Sequence, residues 1–163
     1  LEGTLGGLCM GKILVYHGSK EKVVEPEIRK TKYTKDFSWG FYCTIIKKQA
    51  EKWATRIDGK GYVNIFEYQE KEGLNIKVFE EISYEWLDFV VHCRSGNVHD
   101  FDIVEGPMAD DTIYNYVEDY ISGDIERDAF MELVKFKKPT HQISFHTIKA
   151  LSCLKFIDSK EVL

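Results

Sequence analysis

Residues 12–19, Lys-Ile-Leu-Val-Tyr-His-Gly-Ser, decide the fold. The run Ile13-Leu14-Val15-Tyr16 is β-branched and aromatic, and it stops abruptly at a histidine, a glycine and a serine. Such a run, closed by a glycine, predicts a buried strand that ends at His17. A polar ring at the mouth of a buried strand, beside backbone that Gly18 leaves open to close approach, is where ligands are commonly held. The companion stretch is Asp36-Phe37-Ser38-Trp39-Gly40-Phe41-Tyr42-Cys43-Thr44, a turn running into a second strand with a tyrosine just past a glycine. Together the two stretches predict a pocket.

With 163 residues, 44% of them apolar, the chain can build one core but not two independent ones. Residues 1–9 are Gly-rich and read as a flexible or added leader, with residues 10–163 as a single domain starting at Met10. The net charge of −5 argues against a general nucleic-acid binder, which carries a net basic face. No apolar run approaches a membrane span, and no secretory signal opens the chain. Cys9, Cys43, Cys93 and Cys153 lie far apart, without metal or redox spacing. The last three sit in apolar surroundings and read as reduced core residues of a cytoplasmic protein.

Residues 20–35 form a charge-mixed loop in which basic residues outnumber acidic ones. It reads as a solvated connection, or as a basic rim that draws phosphate groups to the neighbouring pocket. Residues 47–57 predict an amphipathic helix with Ala50, Trp53, Ala54 and Ile57 on one face and Thr44 as a cap. Strands are predicted at 62–69 and 74–79, then a helix over 83–94 with Ser83 as N-cap. Residues 101–106 predict a buried strand. Asp110 and Asp111 follow, reading as helix-start acids that complement the macrodipole, or as pocket-lining carboxylates. Helices are expected at 113–121 and 125–136. The strand at 142–146 places Gln142, Ser144 and His146 on one face; Thr147 caps a short helix, and 155–157 closes the chain as a strand. Strands and helices in this irregular order predict an α+β domain.

Common catalytic motifs are absent: there is no Gly-rich dinucleotide fingerprint, no phosphate-binding loop ending in Gly-Lys-Ser/Thr and no metalloprotease histidine spacing. His92, His99, Asp100 and Asp102 cluster loosely and read as ordinary exposed polar residues, so no metal is expected. Cys43 paired with His17 suggests a thiol nucleophile, but strand alternation puts Cys43 on the opposite face from Tyr42.

What remains is His17-Gly18 at one strand end, Gly40-Phe41-Tyr42 at the next and Gln142 at the start of the late strand. In these stretches the sequence resembles the ADP-ribosyltransferase superfamily, in its His-Tyr-Glu branch. It is most similar there to the bacterial family called domain of unknown function 3990. The resemblance is carried by Val15-Tyr16-His17-Gly18-Ser19, by residues 35–44, and by Gln49-Ala50-Glu51-Lys52-Trp53-Ala54. It continues through Asp102-Ile103-Val104, Gly106-Pro107, Ala109-Asp110-Asp111 and residues 142–147.

The resemblance implies two small bent sheets gripping NAD as co-substrate. His17 would then bond ribose hydroxyls, Gly18 would admit the nicotinamide amide and Tyr42 would stack on the nicotinamide ring. Ser19, Gly40, Phe41 and Ser144 are the remaining cofactor-contacting residues it implies. Each residue type suits its implied role, since imidazole donates and accepts, glycine avoids a clash, and a phenol ring offers a flat face. The family's third position is a glutamate that steadies an oxocarbenium-like ribose. Here it is Gln142, an amide without charge or basicity. That leaves a charge-free variant of the chemistry, an acid recruited from Asp110, Asp111 or Asp36, or a nucleotide-binding module that transfers nothing. Asp36 also reads simply as a turn starter. The resemblance further implies a macromolecular acceptor, protein or nucleic acid, and a bacterial toxin or effector role. Delivery to a target cell and a small neutralising protein partner would accompany such a role. RNA 2′-phosphate transfer to NAD is the other enzymatic reading, and it calls for a more basic cleft.

Overall fold

The first apolar run does form a strand, β3 (Ile13–Ser19), which extends two residues past the His17 end predicted for it. Pairing with β5 (Gly61–Tyr68) carries it on, since Gly18 lies opposite Val63 and Ser19 opposite Tyr62. The computed structural model describes residues 11–31 and 35–163, together with the backbone of two short antiparallel strands, β1 (Thr4–Leu5) and β2 (Leu8–Cys9). Beyond that pairing, the leader expected at residues 1–9 lies outside the described residues.

Two principal sheets build the domain. The first has the order β3-β5-β9 and is antiparallel throughout. Its third member, β9 (Leu154–Val162), is much longer than the closing strand expected at 155–157, and the register shifts at Ile65/Phe66. The second sheet runs β4 (Phe41–Cys43), β8 (Gln142–Phe145), β7 (Ile103–Gly106), β6 (Ile76–Val78). Only β6 and β7 are parallel, and α2 (Tyr84–Arg94) makes the crossover that such a pair requires. The sheets are stitched where Tyr16 and Thr44 exchange backbone hydrogen bonds of 2.8 and 2.9 Å. With the five helices of the described residues interspersed, the fold is α+β, as the irregular element order predicts. Among the described residues, no helix is long and apolar enough to cross a membrane.

Period-2 alternation sorts the side chains into layers. Phe41 and Cys43 point between the sheets, where Val15, Phe66, Ile103, Ile143 and Phe145 meet them. Tyr42 and Val104 point the other way, into a core shared with Phe37, α2, α3 (Asp111–Ile121) and α4 (Arg127–Val134). Burying a large side chain there, such as Trp86 or Phe130, contributes roughly 2–3 kcal/mol each. The Trp86 indole N–H is not stranded, because it donates to the Pro107 carbonyl at 2.9 Å.

On the outer face of the first sheet lies α1 (Lys47–Ala54), with Ala50 and Ala54 buried. At two points it comes so close that only glycine fits. A Cβ at Gly18 would stand 2.0 Å from the Ala50 carbonyl oxygen, and one at Gly61 would stand 2.1 Å from that of Ala54.

Ser83, Asp110 and Thr147 cap α2, α3 and α5 (Ile148–Leu151) by accepting amide N–H bonds, each contributing about 1 kcal/mol. Thr44 does not cap α1. The cap position is Ile46, and the Thr44 hydroxyl accepts the Ile46 N–H at 3.0 Å. Ile57, predicted for the apolar face of this helix, lies beyond its end and is 80% exposed. Residues 55–60 turn there instead of continuing the helix.

Candidate functional site

The turn at 35–40 ahead of β4 has no ladder of its own, so its polar groups are met by side chains from elsewhere. Asp36 is buried, and its carboxylate accepts from Arg94 at 2.9 and 2.5 Å, from the Ala109 N–H at 2.7 Å and from the Gln142 amide at 2.9 Å. Arg94, in the last turn of α2, also lies 4.3 Å from the Tyr114 ring centroid on α3. One carboxylate thereby ties the turn to α2, the approach to α3 and β8.

Four carbonyls of the turn and the β4 residue Tyr42 are each held by a ring side chain. The His99 Nε2–H donates to Phe37, the Tyr42 hydroxyl to Ser38, His146 Nδ1–H to Trp39 and His17 Nδ1–H to Tyr42. The tautomers follow from the other nitrogens: His99 Nδ1 accepts from the Phe101 N–H, and His146 Nε2 accepts the Ser144 hydroxyl. The Tyr42 hydroxyl also accepts the Phe37 N–H at 3.0 Å, which fixes its ring. Ser38, at φ 76°, adopts the left-handed backbone that non-glycine residues avoid, and the Tyr42 hydroxyl on its carbonyl holds it there.

A cavity of about 490 Å³ opens beside this segment, within the ordinary size range of small-molecule sites. His17 and Ser19 line it from β3, Trp39, Gly40, Phe41 and Tyr42 from the turn and β4, and parts of the 20–35 loop from above. The His17 ring stacks on Phe41 with centroids 4.1 Å apart. Loss of hydration lowers the His17 pKa to about 4; the Tyr42 carbonyl opposes this, and Lys35 and Arg29 add to it. At neutral pH the ring is therefore uncharged. Its Nδ1 proton is committed to Tyr42, and Nε2 is left as an acceptor.

The loop contributes Lys20, Lys22, Arg29 and Lys35 together with Glu21, Glu25 and Glu27. Asp58 pairs with Lys20 at 2.6 Å, and Glu27 pairs with Arg29 at 3.1 Å.

Of the residues singled out in the sequence, His17, Ser19, Gly40, Phe41 and Tyr42 converge on this cavity. Gln142 and Ser144 do not line it. They lie on the helix side of the second sheet, buried, with Gln142 donating to Asp36 and the Pro107 carbonyl, and Ser144 donating to His146 with its oxygen 3.1 Å from the Val104 carbonyl. Gly18 faces α1, which accounts for its missing side chain. Among the acids, Asp36 is enclosed in its ion pair and Asp110 caps α3. Asp111 is exposed against Arg56, and none of the three lines the cavity. The His92 ring donates from Nε2 to the Val98 carbonyl, and Asp102 accepts from Asn75 and Thr147. Cys43 is buried in the layer opposite Tyr42, and burial pushes its thiol well above the usual range; Cys93 is pushed up to about 12 for the same reason. Neither is a nucleophile at neutral pH.

Two contributors escaped the sequence reading. Asn64, buried opposite His17 in the β3–β5 register, donates to the His17 carbonyl at 3.1 Å and the Ser19 hydroxyl at 3.0 Å. Its side-chain oxygen accepts from the Val23 N–H at 2.9 Å and the Ser159 hydroxyl at 2.8 Å. It thereby folds the start of the loop back over the strand. The signal was an amide inside the apolar run Tyr62-Val63-Asn64-Ile65-Phe66. Arg94 gave no such signal, since a basic residue in a last helical turn is ordinary.

The neutral histidines set a pH dependence. Burial lowers His146, like His17, to about 4, while unfolded imidazoles titrate near 6.5. Between those values the unfolded chain binds protons that the native one does not, so stability falls as pH drops. Urea unfolding from pH 8 to pH 4 is expected to show full stability above pH 7. Below pH 6.5 it should lose on the order of 1 kcal/mol per pH unit for each ring. His17→Asn with His146→Asn should flatten that limb.

A family model described as "Protein of unknown function (DUF3990)" matches residues 13–156, which take in the second sheet, the first sheet up to the start of β9, and the whole cavity wall. No curated protein matches the sequence.

Proposed function

The chain belongs to the family of proteins of unknown function designated DUF3990, and on that premise we propose that it is an NAD-binding domain of the ADP-ribosyltransferase type. The observation that carries this reading is the His17–Phe41–Tyr42 assembly at the cavity wall. A neutral imidazole with Nε2 free to accept suits a ribose hydroxyl, and the rings of Phe41, Tyr42 and Trp39 suit a flat heteroaromatic ring. The cations of the 20–35 loop suit a diphosphate.

Transfer would break the bond between C1′ of the ribose and the nicotinamide nitrogen, with nicotinamide leaving with the electron pair. A nucleophile on a macromolecular acceptor then bonds to C1′ and gives up its proton. The carboxylates lining the cavity are Glu21, Glu25 and Glu27. In this reading one of them steadies the developing positive charge. Gln142 acts from behind the wall, by holding Asp36.

That placement of Gln142 also favours a second reading, a module that binds the nucleotide without transferring it.

Calorimetry with NAD tests the binding. The intact chain is expected to bind, and His17→Ala to bind about tenfold more weakly or worse. An intact chain that gives no heat at millimolar NAD, or a His17→Ala variant that binds as well as its parent, overturns the proposal. Release of nicotinamide on incubation with NAD and a cell extract then separates transferase from silent module.

A further inference from the structure

The Tyr42 ring, fixed by its two hydroxyl bonds, is a rigid wall of the cavity, and a cation already lies against it. The ammonium of Lys35 sits 5.0 Å from the ring centroid, and both residues line the cavity. Aromatic faces attract cations at such distances through the ring quadrupole. The acid next to Lys35 in the chain, Asp36, is buried and engaged by Arg94 at 2.5 Å. Loss of hydration, reinforced by Arg56 and Arg94 and opposed by Asp36, lowers the Lys35 pKa, so the ammonium is held there at some electrostatic cost.

From this contact we infer that Lys35 is a specificity-determining residue that occupies, in the unliganded protein, the place of a planar cationic ring on Tyr42. The inference rests on the nucleotide reading given above. A positively charged nicotinamide and the ammonium cannot share one ring face. The oxidised dinucleotide therefore has to expel Lys35 from the ring, into a cavity that Lys20, Lys22 and Arg29 also line. A reduced dinucleotide carries the same diphosphate and an uncharged ring, so it meets less repulsion. Lys35 thereby sets the preference of the site between the two redox forms.

The test compares NAD+ and NADH by calorimetry on the parent chain, Lys35→Met and Lys35→Arg. Methionine keeps the length and apolar stem without the charge, and arginine keeps the charge. Lys35→Met is expected to shift the affinity ratio toward NAD+ by about tenfold, and Lys35→Arg to leave the ratio as in the parent. Identical ratios in the parent and Lys35→Met, with both nucleotides weakened alike, would make Lys35 a plain diphosphate contact and overturn the inference alone. No binding of either nucleotide to the parent or to either variant overturns the nucleotide reading and the inference with it.

Discussion

Gly18→Ala is expected to leave most of the chain unfolded at room temperature. The added methyl would stand 2.0 Å from the Ala50 carbonyl oxygen and 2.9 Å from the Ala54 nitrogen, both of them backbone atoms of α1. No side chain can swing aside to admit it, so the helix must lift off the strand. Lifting it uncovers Val63 and Ile65 on β5 as well as its own Ala50 and Ala54, which pack together there, and breaks the Gly61 contact too. Overpacking against yielding neighbours costs roughly 1–3 kcal/mol, and here the cost should exceed that range. A urea midpoint shifted to near zero, with α-helical circular dichroism largely lost, is the expected result. The measurement also decides what the glycine is for. Under the resemblance, Gly18 would serve the ligand, and Gly18→Ala would fold normally and lose only NAD binding.

Asp36→Ala is expected to cost about 3–5 kcal/mol, because it removes a buried carboxylate that a guanidinium, a backbone N–H and a side-chain amide all share. Arg94, the Ala109 N–H and the Gln142 amide would each lose an acceptor at once. Asp36→Asn should cost less, since its remaining carbonyl can keep one or two of those donors. Thermal unfolding of both variants beside the parent gives the comparison. Equal, small shifts below about 1 kcal/mol would show the pair to behave as an exposed bridge. Because Asp36 adjoins the Phe37 N–H that the Tyr42 hydroxyl accepts, Asp36→Ala should also loosen the Tyr42 wall.

Local pattern carried much of the fold. The strand at β3, the helix at α2 with its Ser83 cap and the opposite facing of Tyr42 and Cys43 all follow from short-range period and cap chemistry. The turn-plus-tyrosine stretch and His17 do meet at one cavity. Sequence could not show that the third position turns away. Gln142, Ser144 and His146 share a face as alternation demands, but which side of the sheet that face meets depends on packing with α2, α3 and α4. Nor could it separate the two uses of Gly18, since a tight helix contact and a ligand contact both call for a missing side chain. The length of β9 was under-read because Asp158, Ser159, Lys160 and Glu161 look like a polar tail. Pairing with the apolar β5 recruits them nonetheless.

The ring clamps on the 37–42 carbonyls bear on the order in which the molecule assembles. Three of the four donors come from 25, 62 and 107 residues away, at His17, His99 and His146; the Tyr42 hydroxyl alone is local. Contacts of such separation close large loops and form late in folding. The cavity wall is thus expected to be among the last parts to acquire its native shape, after the helices and the local β3–α1–β5 unit. A nascent chain that has not yet released residue 146 from the ribosome has no finished wall, so ligand binding can begin only once nearly the whole domain has been synthesised.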